Sequence, residues 1–370
     1  MIRKLCLALL LLCFTNVTFS EPSLAATKII KTKIEVSKTF LDHNIARPQS
    51  DGSFHHGLLL SEQSDGTLIY NNTLGNKAFH LPDNIKPISD FYEQRALVQN
   101  KETKLYGYIN TKGKLAIPCQ FTEAGYFSEG VSHVTLANTN QQALIDRTGK
   151  IISHFSKKYD SDFYFSNGLA MVTDPKSNKN GFINTLGELA IPYDYTYARG
   201  FSEGFSLVQN NKGQYGYIDT SGTVIIPFQY KSGGSFSEGL ASVQNNKGKW
   251  GFINKKGKVI IPFRYDNASD FSEGLAVVYN SSGKVGFINK KGKLVIDYQE
   301  YNNASNFKEG IALVGIGTNS DGKFGYIDRY GNLLTKLEYR AKSSSFNGGY
   351  AIAVISPSKS VILKKRIITK

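Results

Sequence analysis

The amino-acid sequence predicts an all-β protein, a tandem array of three-stranded antiparallel repeats of roughly 36 residues each. Three observations carry that prediction. Phe54, Phe91, Phe127, Phe165, Phe201, Phe236, Phe271, Phe307 and Phe346 open successive copies, spaced 35 to 39 residues apart. Each copy holds short runs rich in β-branched and aromatic residues, the composition that suits strands. Glycine-containing turns separate the runs at matching offsets.

Residues 1–25 read as a secretory signal peptide. Arg3 and Lys4 give a positive start, and Leu5 to Phe14 form an apolar run. Ser23-Leu24-Ala25 and Thr18-Phe19-Ser20 offer small residues at the two positions that a signal peptidase reads. The run is about half of the roughly 20 residues needed to span a bilayer. A lipoprotein signal is rejected, because Leu12 stands before Cys13 where a small residue belongs. After signal removal no transmembrane segment is expected. Residues 26–53 are read as a strand over Thr27 to Lys38, with Ile29, Ile30, Ile34 and Val36, followed by a connector. Residues 54–370 are read as the array: about eight copies and a terminal half copy from Phe346.

The copy starting at Phe236 is the clearest. Leu240 to Val243 gives a first strand of small residues, and Trp250 to Asn254 an alternating second. Val259 to Ile261 gives a third that ends at Pro262, where the missing amide hydrogen stops a ladder. Asn-Asn-Lys-Gly joins the first pair and Asn-Lys-Lys-Gly the second. Both fit a type I turn followed by a left-handed glycine, and Gly113, Gly187, Gly222, Gly257, Gly292 and Gly331 are equivalent. One unit cannot offset its own conformational entropy, so neighbours must bury each other's faces.

Lys249-Trp250-Gly251-Phe252-Ile253-Asn254, with Gly257-Lys258 and Ile260-Ile261-Pro262, resembles the WG (or KWG) repeat of bacterial proteins. The resemblance runs over roughly residues 54 to 355. It implies a repeat scaffold for interactions and no defined enzyme activity, cofactor or ligand site. The chain departs from the motif in places. Tyr106, Asn180, Tyr215, Val285 and Phe324 replace the tryptophan, Gln142-Ala143 replaces the dipeptide, and Asp297 replaces the proline. Trp250 therefore reads as a core aromatic rather than a repeated ligand platform. Units of this kind could close into a propeller-like ring or wind into an open superhelix. The ring is favoured, with the terminal half copy pairing with the N-terminal segment and the small-residue strand lining the axis.

The formal charge is +14, and about +13 once Arg3, Lys4 and Glu21 leave with the signal. A basic exported protein is drawn to anionic surfaces. Only Cys119 remains in the mature chain, so no internal disulfide forms, and it reads as a small core filler. The six histidines show no metal-ligand spacing, and no phosphate loop, dinucleotide fingerprint or calcium loop is present. Two charge stripes follow from the repetition. Glu93, Glu129, Glu203, Glu238, Glu273 and Glu309 are expected on an acidic rim. Lys255, Lys256, Lys290 and Lys291 are expected on a separate basic rim, the candidate binding surface.

The function expected is a non-enzymatic, periplasmic or extracellular scaffold that binds a protein or an anionic envelope polymer. The alternative is an envelope enzyme with a site in the irregular copies, around His154, Asp160 and Asp162. Specific nucleic-acid binding is not expected, since no reader motif accompanies the charge.

Overall fold

The computed structural model describes residues 30–41, 52–63, 65–155, 159, 163–318, 321–356 and 359–369; all regular structure among them is β-strand. The signal segment and Asp160 and Asp162 lie outside the described residues. In the sixth unit Ser232–Gly233, Leu240–Gln244, Trp250–Asn254 and Val259–Tyr265 form one antiparallel sheet in that order. The fourth, fifth and seventh units repeat it. A two-residue strand ahead of Phe201, Phe236, Phe271 and Phe307 is an addition to the three predicted, and in the fourth unit Phe165–Ser166 itself takes that place. In the second unit Leu115–Ala124 both ends one sheet and opens the next, which fuses the second and third units.

Both hairpin turns form as the glycines predict. Gly257 lies at φ +74° and donates its amide to the Asn254 carbonyl at 2.8 Å. The Asn254 side chain accepts the amides of Lys256 and Lys258 at 3.0 Å each, so the asparagine braces the turn that the glycine allows.

The glycine of the Trp-Gly pair has a different cause. Trp250 pairs with Tyr265 and Phe252 with Ile261, so residues 262–264 bulge opposite Gly251. A Cβ there would stand 2.6 Å from the Ile261 carbonyl oxygen. Gly107, Gly181 and Gly216 meet the third-strand backbone in the same way, and Gly325 meets the Lys336 carbonyl oxygen. In the third unit, where Ala143 takes this place, the third strand does not bulge across it. Ala143 pairs directly with His154, and the Gln142 side chain bonds both the amide and the carbonyl of Tyr159 at 2.8 Å. The third strand does not stop at Pro262, as the missing amide hydrogen suggested: it runs on to Tyr265, and the proline sits in the bulge, where no ladder bond needs its amide.

The cores lie between units. Leu240, Phe252, Ile261 and Tyr265 of the sixth unit cluster with Phe271, Ala276, Val278 and Ile288 of the seventh. Ala241, Val243 and Ile253, on the opposite face of the same strands, cluster with Leu207, Tyr217 and Ile226 of the fifth. Strand alternation thus sends each unit's side chains to two neighbours. Where the copy before has a second-strand aromatic, the leading phenylalanine packs on it: Phe236 on Tyr217, Phe271 on Phe252 and Phe307 on Phe287, with centroids 4.9–5.0 Å apart. Trp250 is half-buried and joins the core shared by the sixth and seventh units. The third strands are the exposed ones, with Val224, Ile225, Val259 and Ile260 about 40 % accessible.

The terminal half copy is completed by the N-terminal segment. Ile30–Leu41 pairs antiparallel with Lys359–Thr369, which pairs with Tyr350–Ser356. Phe54 and Leu59 of the first unit cluster with Ile352 and Ile362 of this ninth unit. Contacts therefore run from each unit to the next and from the ninth back to the first.

Candidate functional site

Each leading phenylalanine is followed by a tight turn. Ser237 and Leu240 exchange amide-to-carbonyl bonds of 2.9 and 3.1 Å around Glu238 (φ +54°) and Gly239 (φ +85°). Both central residues are left-handed, as a type I′ hairpin requires. A glutamate there is strained by about 1–2 kcal/mol, yet six units use one, with φ between 47° and 55°.

The reason lies one unit along. The Glu93 carboxylate accepts the Gly130 amide at 2.8 Å, and Glu129 accepts those of Asn167 and Gly168 at 2.7 and 2.8 Å. Glu203 accepts Gly239 at 3.0 Å, Glu238 accepts Gly274 at 3.0 Å and Glu309 accepts Gly349 at 2.8 Å. Glu273 takes two amides, from Glu309 at 2.5 Å and Gly310 at 2.8 Å. Asn167 substitutes with its amide oxygen to Gly204, and His56 with its Nε2 to the Gln94 amide. Charge-assisted bonds to backbone amides outweigh the local strain. The serines of the same turns add a second link. Ser202, Ser237 and Ser272 donate to the carbonyls of Phe236, Phe271 and Phe307, and Asn347 in the ninth unit donates to Phe54 at 2.6 Å.

The two charge stripes are one structure, which corrects the expectation of separate rims. Lys255 Nζ lies 3.2 Å from the Glu203 carboxylate and donates to the Glu203 carbonyl at 3.1 Å. Lys290 lies 2.9 Å from Glu238, and Arg329 reaches Glu273 at 3.6 Å. The hairpin turn of one unit therefore overlies the glutamate turn of the unit before. Partial desolvation raises the Glu203 and Glu238 carboxyls. The lysine and the backbone amides outweigh it and hold both below the usual carboxylate range. Of the four candidate lysines, Lys255 and Lys290 are engaged in these clamps. Lys256 and Lys291 are exposed and form no ion pair among the described residues.

His154 is exposed at the end of its strand. Among the described residues no group of three or more His, Cys, Asp or Glu side chains is placed to hold a metal. Cys119 is half-buried against the core of the first two units, and burial pushes its thiol up.

Sequence reasoning missed a cavity of about 320 Å³ at the turns of the first four units. His55, His56, Tyr92, Glu93, Glu129 and Tyr164 give it its chemistry. In the fifth, sixth and seventh units the residue after the leading phenylalanine is serine and the one before it is Gly, Ser or Asp. Here those places hold His55 and Tyr92 after, and Tyr126 and Tyr164 before. Aligning the copies on phenylalanine exposes this signal. Tyr92 stacks on Tyr126 at 4.7 Å and on His55 at 5.5 Å, while Tyr164 is 64 % exposed.

The family model described as a WG containing repeat matches residues 106–138, 144–174, 181–213, 215–250, 250–282 and 286–317, about half of the chain. No curated protein matches its sequence. Similar solved structures include BamB from Moraxella catarrhalis, with 11 % identity and a TM-score of 0.43 over 76 % of this chain and 97 % of that one. Another is the C-terminal WD40 domain of Sif2, with 11 % identity and a TM-score of 0.44 over 91 % and 98 %. The WD40 β-propeller domain of Doa1 follows at 10 % and 0.32, over 66 % and 96 %.

Proposed function

The chain belongs to the WG-containing-repeat family, and from that premise we propose that it is an exported, non-enzymatic scaffold binding a protein or an anionic polymer of the envelope. One observation carries the reading: the repeated positions are spent on joining units. The glutamates and serines link turns, the phenylalanines pack on the preceding unit, and the Trp-Gly glycines admit the bulge. Binding chemistry is left to exposed residues that stand outside these links. Lys256 and Lys291 belong to that set, on a chain of formal charge +14. Electrostatic attraction of this kind is screened within about 10 Å at 0.1 M salt.

The test uses the mature protein and a Lys256→Glu/Lys291→Glu variant against anionic glycans and anionic vesicles across a salt series. The variant is expected to bind more weakly at low salt, and unchanged binding overturns the polymer reading. A partner from an envelope extract that survives high salt supports protein docking instead. Export is checked by the N-terminus of the cellular protein. Processing after Ala25 or Ser20 is expected, and an intact Met1 in the cytoplasm contradicts it.

A further inference from the structure

The clamp ladder contains its own template for a ligand site. At three rungs a glutamate carries a cation from the next unit's hairpin turn: Glu203 with Lys255, Glu238 with Lys290, Glu273 with Arg329. At the first of these the ammonium also lies over an aromatic ring, with Lys255 Nζ 5.8 Å from the Phe205 centroid. The carboxylate need not give up its backbone bonds to do so. Glu273 accepts two amides and still takes Arg329.

Two rungs lack the ion pair. Thr185 occupies the clamp place opposite Glu129. Arg147 occupies it opposite Glu93, but it is exposed and no ion pair joins the two. These two carboxylates are the charged groups lining the cavity at the turns of the first four units, and Tyr92 and Tyr164 supply its rings. Glu129 accepts the amides of Asn167 and Gly168, as Glu273 accepts its two, and its outer side faces solvent. Acidic, aromatic and concave, the cavity contrasts with the basic character of the whole chain.

We propose that this cavity binds an alkylammonium group, which takes the place that Lys255 holds at the Glu203 rung. The carboxylates of Glu93 and Glu129 supply the charge, and the rings of Tyr92 and Tyr164 supply the cation–π face. A volume of about 320 Å³ suits one amine-bearing chain rather than a folded partner. The site is separate from Lys256 and Lys291, so its failure and theirs are read independently.

Isothermal titration of the mature protein at low salt would use N-acetyl-lysine methylamide, with N-acetyl-norleucine methylamide as the uncharged isostere. Cadaverine and a short lysine-containing peptide would distinguish the source. The lysine derivative is expected to bind and the isostere not to. Tyr164→Ala is expected to weaken binding about fivefold or more, and Tyr164→Phe to retain it. Tyr164 is exposed, so its removal does not threaten the fold. Glu129→Gln keeps an amide acceptor while removing the charge, and should also weaken binding. Tighter binding of the peptide than of cadaverine identifies a lysine of a partner protein, and the reverse identifies a free amine. Equal binding of the isostere, no binding of any amine, or indifference to Tyr164→Ala overturns the proposal.

Discussion

Gly251→Ala tests the explanation of the Trp-Gly pair. Gly251 is not left-handed, so backbone freedom is not what the position requires. The added methyl would sit 2.6 Å from the Ile261 carbonyl oxygen and 3.0 Å from the Phe263 amide nitrogen. Both obstacles are backbone, in a strand whose register is fixed by the Trp250–Tyr265 and Phe252–Ile261 pairs. Relief therefore requires the bulge to lift or one pair to open. Overpacking of this kind costs about 1–3 kcal/mol. Lower entropy of the unfolded chain returns about 0.4–1 kcal/mol, so the net loss expected is about 1–2 kcal/mol. Urea unfolding followed by tyrosine and tryptophan fluorescence should show a lower midpoint with an unchanged slope. The natural counterpart is Ala143, over which no bulge passes, and Ala143→Gly should lack any comparable gain from relieved crowding. A wild-type midpoint for Gly251→Ala refutes the reasoning.

Two further perturbations separate the other causes. At Gly257 an added Cβ meets Ile226 only at 3.6 Å, but φ is +74°, so Gly257→Val should cost roughly 1–2 kcal/mol through left-handed strain. An unchanged melting temperature would sink the turn assignment. The Glu203 and Glu238 carboxyls are held below 4.5, so their contribution is full above the ordinary glutamate value and is lost as pH falls through the lowered one. Glu203→Gln/Glu238→Gln should flatten the acid side of the stability–pH curve below about pH 4.5. A slope as steep as that of the parent would argue against the clamps.

The repeat length and the two glycine turns were legible because each is a local requirement written in neighbouring residues. The two-residue strands before Phe236 and Phe271 were not, since Ser232–Gly233 and Asn267–Ala268 carry no apolar alternation. The role of the glutamates was hidden for another reason. A soluble turn residue and an inter-unit clamp look alike in sequence, and the partners stand about 36 residues away. The pairing of the ends was partly legible. Ile30, Ile34 and Val36 alternate as a strand should, but their partners at Thr369, Lys365 and Leu363 lie at the far end of the chain. The aromatic cavity needed the copies aligned on phenylalanine before His55, Tyr92 and Tyr164 stood out against serine and small residues.

The N-terminal strand joins the ninth unit, and the ninth unit packs on the first. Thr32 lies directly opposite Ile367 in the pairing of Ile30–Leu41 with Lys359–Thr369. Opposed residues of antiparallel strands have Cα atoms about 4.5–5.5 Å apart, within reach of a disulfide. Thr32→Cys/Ile367→Cys, made in a Cys119→Ser background, should oxidise to an intramolecular bond in the folded monomer. Its signs would be thiols lost to labelling and faster migration on a non-reducing gel. Thiols that stay free, or that link only between molecules, would contradict closure and leave the array an open superhelix.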